Sequence, residues 1–142
     1  MTEPTSSAGS FRFFPAPWPD AGAGMWANDL EEHLVALACE RGFQPSHATK
    51  SELELVHAGR HRIVYINRKR LRVQIIAVIV PPWSEVDELR TIPGVSSRGD
   101  FFHSSNLRTF PRRIHDGKSE IPYGYSMVCA DVGAYGRVLD QS

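Results

Sequence analysis

Nine cations carry the strongest chemical signal in this 142-residue chain. Arg60, Arg62, Arg68, Lys69, Arg70 and Arg72 crowd into one stretch, and Arg108, Arg112 and Arg113 into a second. Guanidinium groups fork onto carboxylates and phosphates, and Tyr65, Phe110 and Tyr123 supply rings on which bases can stack. If the two stretches share one side of a sheet, they form a surface for an acidic protein or for nucleic acid. The competing reading is that they are solvated charges on hairpin edges, where cations block sheet-to-sheet association.

Other chemistry is thinner. His33, His47, His57, His61, His103 and His115 form no recognised metal-ligand spacing with Cys39 or Cys129, although His57 and His61 straddle an expected turn. No metal or other cofactor is expected. Cys129 precedes the last expected helix, and a helix start can lower a thiol pKa, but no activating base stands near it in sequence. Sparse cysteines in apolar contexts read better as buried free thiols. Gly124-Tyr125-Ser126-Met127-Val128 lacks the second glycine of a nucleophile elbow, so Ser126 reads as a turn or cap residue before that helix. Gly94-Val95-Ser96-Ser97-Arg98-Gly99 is neither a phosphate loop nor a dinucleotide fingerprint.

Composition sets outer bounds. A chain of this length suits one domain that folds without disulfide or metal, and its 42% apolar and 23% charged content is that of an ordinary globular protein. Formal net charge is zero, yet residues 60–118 hold twelve Lys and Arg against five Asp and Glu. That segment therefore carries +7 and its flanks −7. The start of the chain has no basic, apolar leader, and the longest apolar run, Ile75 to Val80, is far short of the ~20 residues that cross a bilayer. A cytoplasmic protein with no membrane contact is expected.

Positioning these residues falls to one α+β domain over residues 26–142, preceded by an arm over residues 1–25. The arm is rich in Pro, Gly, Ala and Ser. It also holds Phe11, Phe13, Phe14 and Trp18, large rings that either fold back onto the domain or serve as a segment that binds a partner or pairs two copies as a homodimer. A helix is predicted from about Asp29 to Arg41, capped by Asn28 with Glu31 three residues on and closed by Gly42 and Phe43 in a Schellman arrangement. Strands follow at 53–58, 61–67 and 71–80, the first two joined at Gly59-Arg60. From Ile75 onward the third is apolar on both faces, so that end should be covered by another layer. From Trp83 to Asp100 the signals mix: Ser84 with Asp87 could cap a short helix through Leu89, while Ile92-Pro93-Gly94 and Ser96-Ser97 argue for a loop. Residues 101–127 read as a long loop pinned to the core by Phe101, Phe102, Leu107, Phe110, Ile114, Ile121, Tyr123 and Tyr125, too irregular for helix or strand. A last helix, Ala130 to Asp140, must carry Gly133 and Gly136, each costing about 1 kcal/mol against Ala.

Three short motifs stand in order over residues 29–140: Tyr65-Ile66-Asn67-Arg68 closing a strand, Phe110-Pro111 in the loop, and Ile121-Pro122-Tyr123-Gly124-Tyr125-Ser126 before the last helix. In these the chain resembles the small bacterial YgaC-like family. The resemblance implies a secretion-chaperone-like fold, shared with the N-terminal domain of TfoX: a curved antiparallel sheet with an N-terminal and a C-terminal helix packed on it. It brings no catalytic residues to carry over. Together with the absence of a catalytic constellation, it points to a non-enzymatic protein-binding module, chaperone-like or a toxin-immunity protein, that masks an acidic partner. The nine cations with Tyr123 would make the contact, helped by the aromatic arm. The alternative is a nucleic-acid-binding or transcription-associated regulator.

Overall fold

The first helix, α1 (Asp29–Glu40), starts and stops where its end residues dictate. At its head the Asn28 Oδ1 accepts the Glu31 N–H. At its tail Gly42 sits at φ 92°, the Phe43 N–H reaches the Ala38 carbonyl and the Gly42 N–H the Cys39 carbonyl, the paired bonds of a Schellman motif. The computed structural model describes residues 26–115 and 119–141. The arm with Phe11, Phe13, Phe14 and Trp18 lies outside the described residues, as do residues 116–118.

After α1 come β1 (Gln44–Ala48), β2 (Glu52–His57), β3 (Arg62–Asn67), a one-turn helix α2 (Arg68–Leu71), β4 (Ile76–Val80), a short helix α3 (Val86–Leu89), β5 (Val95–Ser96), β6 (Phe101–His103), β7 (Arg112–His115), β8 (Ser119–Cys129) and helix α4 (Val132–Gln141). The strands form one open antiparallel sheet in the order β1-β2-β3-β4-β8-β5, with β6 and β7 also paired to β8. The fold is thus α+β, with an N-terminal and a C-terminal helix on an antiparallel sheet, as the sequence predicts.

Both helices cover one face. Leu34, Val35 and Ala38 of α1 and Tyr135, Val138 and Leu139 of α4 close over Leu53, Leu55, Val64, Ile66, Val78, Val80 and Met127. The Tyr135 hydroxyl donates to the Leu34 carbonyl at 2.8 Å and ties the helices together. Gly136 explains how α4 tolerates its glycines: a Cβ there would meet the Arg41 guanidinium at 3.0 Å, and Arg41 crosses that gap to pair with Asp140. On the other face a smaller cluster of Tyr65, Ile79, Leu107 and Phe110 lies under residues 104–111. All of β4 is buried between these layers.

Three expectations need correction. The third strand begins at Ile76, not Leu71, because the Asn67 side chain accepts the Arg70 N–H and starts α2, and the chain then reverses through Gln74 at φ 65°. Strand β1 has no counterpart among the expected elements. It contains Pro45 and no β-branched residue, which an edge strand with a bulge between Pro45 and His47 tolerates. Residues 101–127 are not a long loop but carry β6, β7 and most of β8. Pro122 and Gly124 disguise β8. Yet the Pro122 carbonyl accepts the Ser104 N–H and the Tyr123 N–H reaches the Pro111 carbonyl. At Gly124 a Cβ would collide with the Val80 carbonyl and touch the Phe110 ring, so only glycine fits this register. Ser126 accordingly sits inside β8 rather than capping α4, where the Asp131 carboxylate takes the Ala134 N–H instead.

Candidate functional site

The nine cations do not make one surface. Arg68 is in the core: its Nε and one Nη hold the Glu31 carboxylate at 2.9 and 3.1 Å, and the other Nη donates to the Thr49 carbonyl at 2.7 Å. It cannot meet a partner. Arg60 lies along the end of α4, donating to the Asp140 carbonyl. Arg62, in register with the helix-covered face of β3, lines a shallow cavity with Trp83, Ser84, Glu88 and Gln141. Arg108 is on the opposite face, clamped on Glu54 at 2.9 and 3.1 Å. Arg112 donates to the Glu120 carbonyl. Arg113 stacks over the Phe101 ring at 4.3 Å and reaches the Tyr123 ring at 5.5 Å.

The rings fare similarly. Tyr65 and Phe110 are buried, packed edge to face at 5.0 Å, and present no stacking platform. Tyr123 is half-buried between Phe101 and His103.

What stays together is Lys69, Arg70 and Arg72, on α2 and the turn behind it. All three are exposed, and Arg72 donates to the Lys50 carbonyl, bringing a fourth cation alongside. The same turn exposes two aliphatic side chains, Val73 at 67% and Ile75 at 37%. Their sequence pattern places both in a strand, and Gln74, the residue whose left-handed backbone breaks that strand, gives no strong signal of it.

Beside this turn a cavity of about 430 Å³ opens over the outer face of β3 and β8. Asn67, Ser126 and Val128 form its floor, and Ser96 to Phe102 its far wall, with Arg70 at the rim. Asn67 is 6% exposed, and its Oδ1 accepts the Arg70 N–H. The Ser97 hydroxyl oxygen accepts the Gly99 N–H. Arg98 and Asp100 form a loose, solvated pair at 3.6 Å.

A polar seam lies further along the same face. Glu54 accepts hydrogen bonds from the Tyr65 hydroxyl at 2.7 Å, the Ser46 hydroxyl at 2.6 Å and Arg108, and the Tyr65 oxygen takes the Thr109 N–H. Glu52 accepts from the Ser104 hydroxyl at 2.9 Å. Burial acts to raise the Glu54 pKa, but these hydrogen bonds and the Arg108 charge outweigh it and hold the carboxyl below its usual range. Burial pushes Tyr65 up to about 12. The seam fastens residues 104–110 to β2 and β3.

The thiols are quiet. Burial, with some help from Asp131, pushes Cys129 up to about 12, and burial with Glu40 pushes Cys39 up to about 11. The helix start after Cys129 does not offset its loss of water. The His57 Nδ1 accepts the Arg60 N–H, and its ring packs edge to face on Phe43. Among the described residues, no three His, Cys, Asp or Glu side chains gather as metal ligands, and no helix is long and apolar enough to cross a membrane. No protein-family model, curated protein or solved structure matches the chain.

Proposed function

We propose that the protein is a non-enzymatic protein-binding module whose docking element is the turn from Lys69 to Ile75, offered to an acidic partner that it masks in the manner of a chaperone-like or immunity protein. One observation carries this reading: Val73 and Ile75 stand exposed among Lys69, Arg70 and Arg72. Aliphatic groups among cations match the layout of an interface, where an apolar centre is desolvated and charges at the rim steer the encounter. An acidic surface is the complement. The three motifs that resemble the YgaC-like family support the same reading by analogy only.

The test compares proteins captured from a lysate by the full chain and by its Val73→Asp and Lys69→Glu/Arg72→Glu variants, with Arg137→Ala on α4 as control. Substitutions at such exposed positions leave the fold within ~0.5 kcal/mol. A species held by the wild type and the control, lost from both turn variants and weakened by salt, is expected. If nothing distinguishes wild type from Val73→Asp, the reading fails. If the retained species vanishes on nuclease treatment, the turn serves nucleic acid instead.

A further inference from the structure

The cavity over β3 and β8 is furnished with donors. Arg70 and Arg98 bring two guanidinium groups, Ser96, Ser97 and Ser126 three hydroxyls, and Asn67 an amide. Against them stands one carboxylate, Asp100, already facing Arg98. Asn67 is the informative member. Its oxygen is committed to the Arg70 N–H, so the –NH₂ is the part left to donate toward the cavity that this 6% exposed residue lines. An amide hydrogen at the cavity floor can donate to an acceptor seated there. Ser97 is oriented in the same sense: its oxygen receives the Gly99 N–H, which leaves its O–H to donate.

We propose that this cavity binds a phosphate monoester carrying a small organic body. A monoester has close to two charges at neutral pH and three terminal oxygens, each able to accept more than one hydrogen bond. That matches two guanidinium forks, three hydroxyls and an amide better than the two oxygens of a carboxylate. The volume, about 430 Å³, lies within the ~300–1,000 Å³ of small-molecule sites and exceeds what a bare phosphate needs. Phe101, Phe102 and Val128 give the body an apolar wall. The floor is the sheet itself, so the site takes the end of a molecule rather than a continuing chain. The proposal is independent of the docking turn, although Arg70 borders both.

The experiment is a titration of the uniformly ¹⁵N-labelled full chain, followed by amide chemical shifts, with AMP, inorganic phosphate and adenosine as separate probes. AMP is expected to give saturable shifts centred on Asn67, Ser96, Ser97, Arg98 and Ser126, phosphate the same pattern at lower affinity, and adenosine none. Arg98→Gln and Ser126→Ala are each expected to weaken AMP at least ~10-fold, the loss of one charge-assisted or buried hydrogen bond, while Val73→Asp leaves it unchanged. Absence of saturable shifts with both AMP and phosphate at millimolar concentration overturns the proposal. So do shifts confined to Lys69, Arg72 and Lys50, which mark counterion gathering on the turn. Equal binding of adenosine and AMP overturns the phosphate assignment. A Val73→Asp protein that loses its protein partner but keeps AMP separates this site from the docking reading.

Discussion

Replacing Arg68 with methionine is the sharpest test of how the cations divide between core and surface. The Arg68 guanidinium meets Glu31 through two nitrogens at 2.9 and 3.1 Å and Thr49 through the third, with the Arg68 and Glu31 side chains only 5% and 0% exposed. The methionine side chain fills much of the same space but leaves the Glu31 carboxylate, which also accepts the Ala27 N–H at 2.6 Å, without its counter-ion in a site closed to water. Breaking one side of such a pair costs about 3–5 kcal/mol, a large share of the ~5–15 kcal/mol that holds a domain. At a few degrees per kcal/mol, Tm should fall by roughly 10–20 °C. Replacing both, Glu31→Leu with Arg68→Met, should cost much less than the sum of the single changes, because no charge is stranded. Arg72→Met, at an exposed site one turn away, should stay within ~0.5 kcal/mol. Guanidinium chloride unfolding followed by circular dichroism measures each of these variants, the Glu31→Leu single included, against the wild type. If Arg68→Met costs under ~1 kcal/mol, or if the double variant shows simple additivity, the buried pair is not the structural element described above.

Gly124→Ala should destabilise by about 1–3 kcal/mol, since its Cβ would drive into the Val80 carbonyl and sit 3.0 Å from Phe110; an unchanged thermal midpoint would show that β8 can shift. Glu54, whose folded pKa is depressed, contributes stability that is complete above its unfolded value near 4.5 and is lost as pH falls through the folded one. Glu54→Gln should therefore flatten the loss of stability below that pH, and parallel acid curves for variant and wild type would contradict it. Cys129 is the reverse case: its folded pKa is raised from 9.0 to about 12, so its contribution is whole below 9 and erodes as pH rises. Between pH 9 and 10 that erosion is about 1 kcal/mol, and Cys129→Ala should lose less over that interval in urea titrations; equal losses would place the thiol in water.

The ends of α1 are fully legible in the sequence because capping is local: Asn28, Gly42 and Phe43 act within a few residues of the bonds they satisfy. Strands β2, β3 and the buried half of the third expected strand are legible too, since their apolar periodicity follows directly from the layers above and below. Legibility ends where tertiary partners decide. Residues 71–75 alternate like a strand, but no neighbouring strand pairs with them in the sheet, and the Asn67 cap turns them out. Pro122 and Gly124 look like breakers, yet β8 is held by β4 on one stretch and by β5, β6 and β7 along others. The cation cluster dissolves for a related reason. Sequence proximity groups Arg62 with Arg68 and Arg72, but a strand alternates its faces and a one-turn helix rotates them again, so one enters a cleft, one the core and one the solvent.

Where the face away from the helices is fastened bears directly on where it can act. Residues 104–110 are bound to β2 and β3 through Glu52, Glu54 and Tyr65 and buried at Leu107 and Phe110, so opening this stretch would break several charge-assisted bonds and expose core surface together. The wall from Ser96 to Asp100 has only its own Gly99 to Ser97 bond and the solvated Arg98 to Asp100 pair among its described side-chain bonds, with most of its side chains exposed. Local opening is least costly where few buried contacts are lost. The rigid seam therefore fixes the far end of the sheet face, while the wall is the part free to adjust around a ligand. Asn67 joins that wall's cavity to the turn from Lys69 to Ile75, since its side chain both starts α2 and lines the floor. A ligand drawn to the Asn67 amide would thus contact the residue that starts the helix from which Lys69 and Arg70 project.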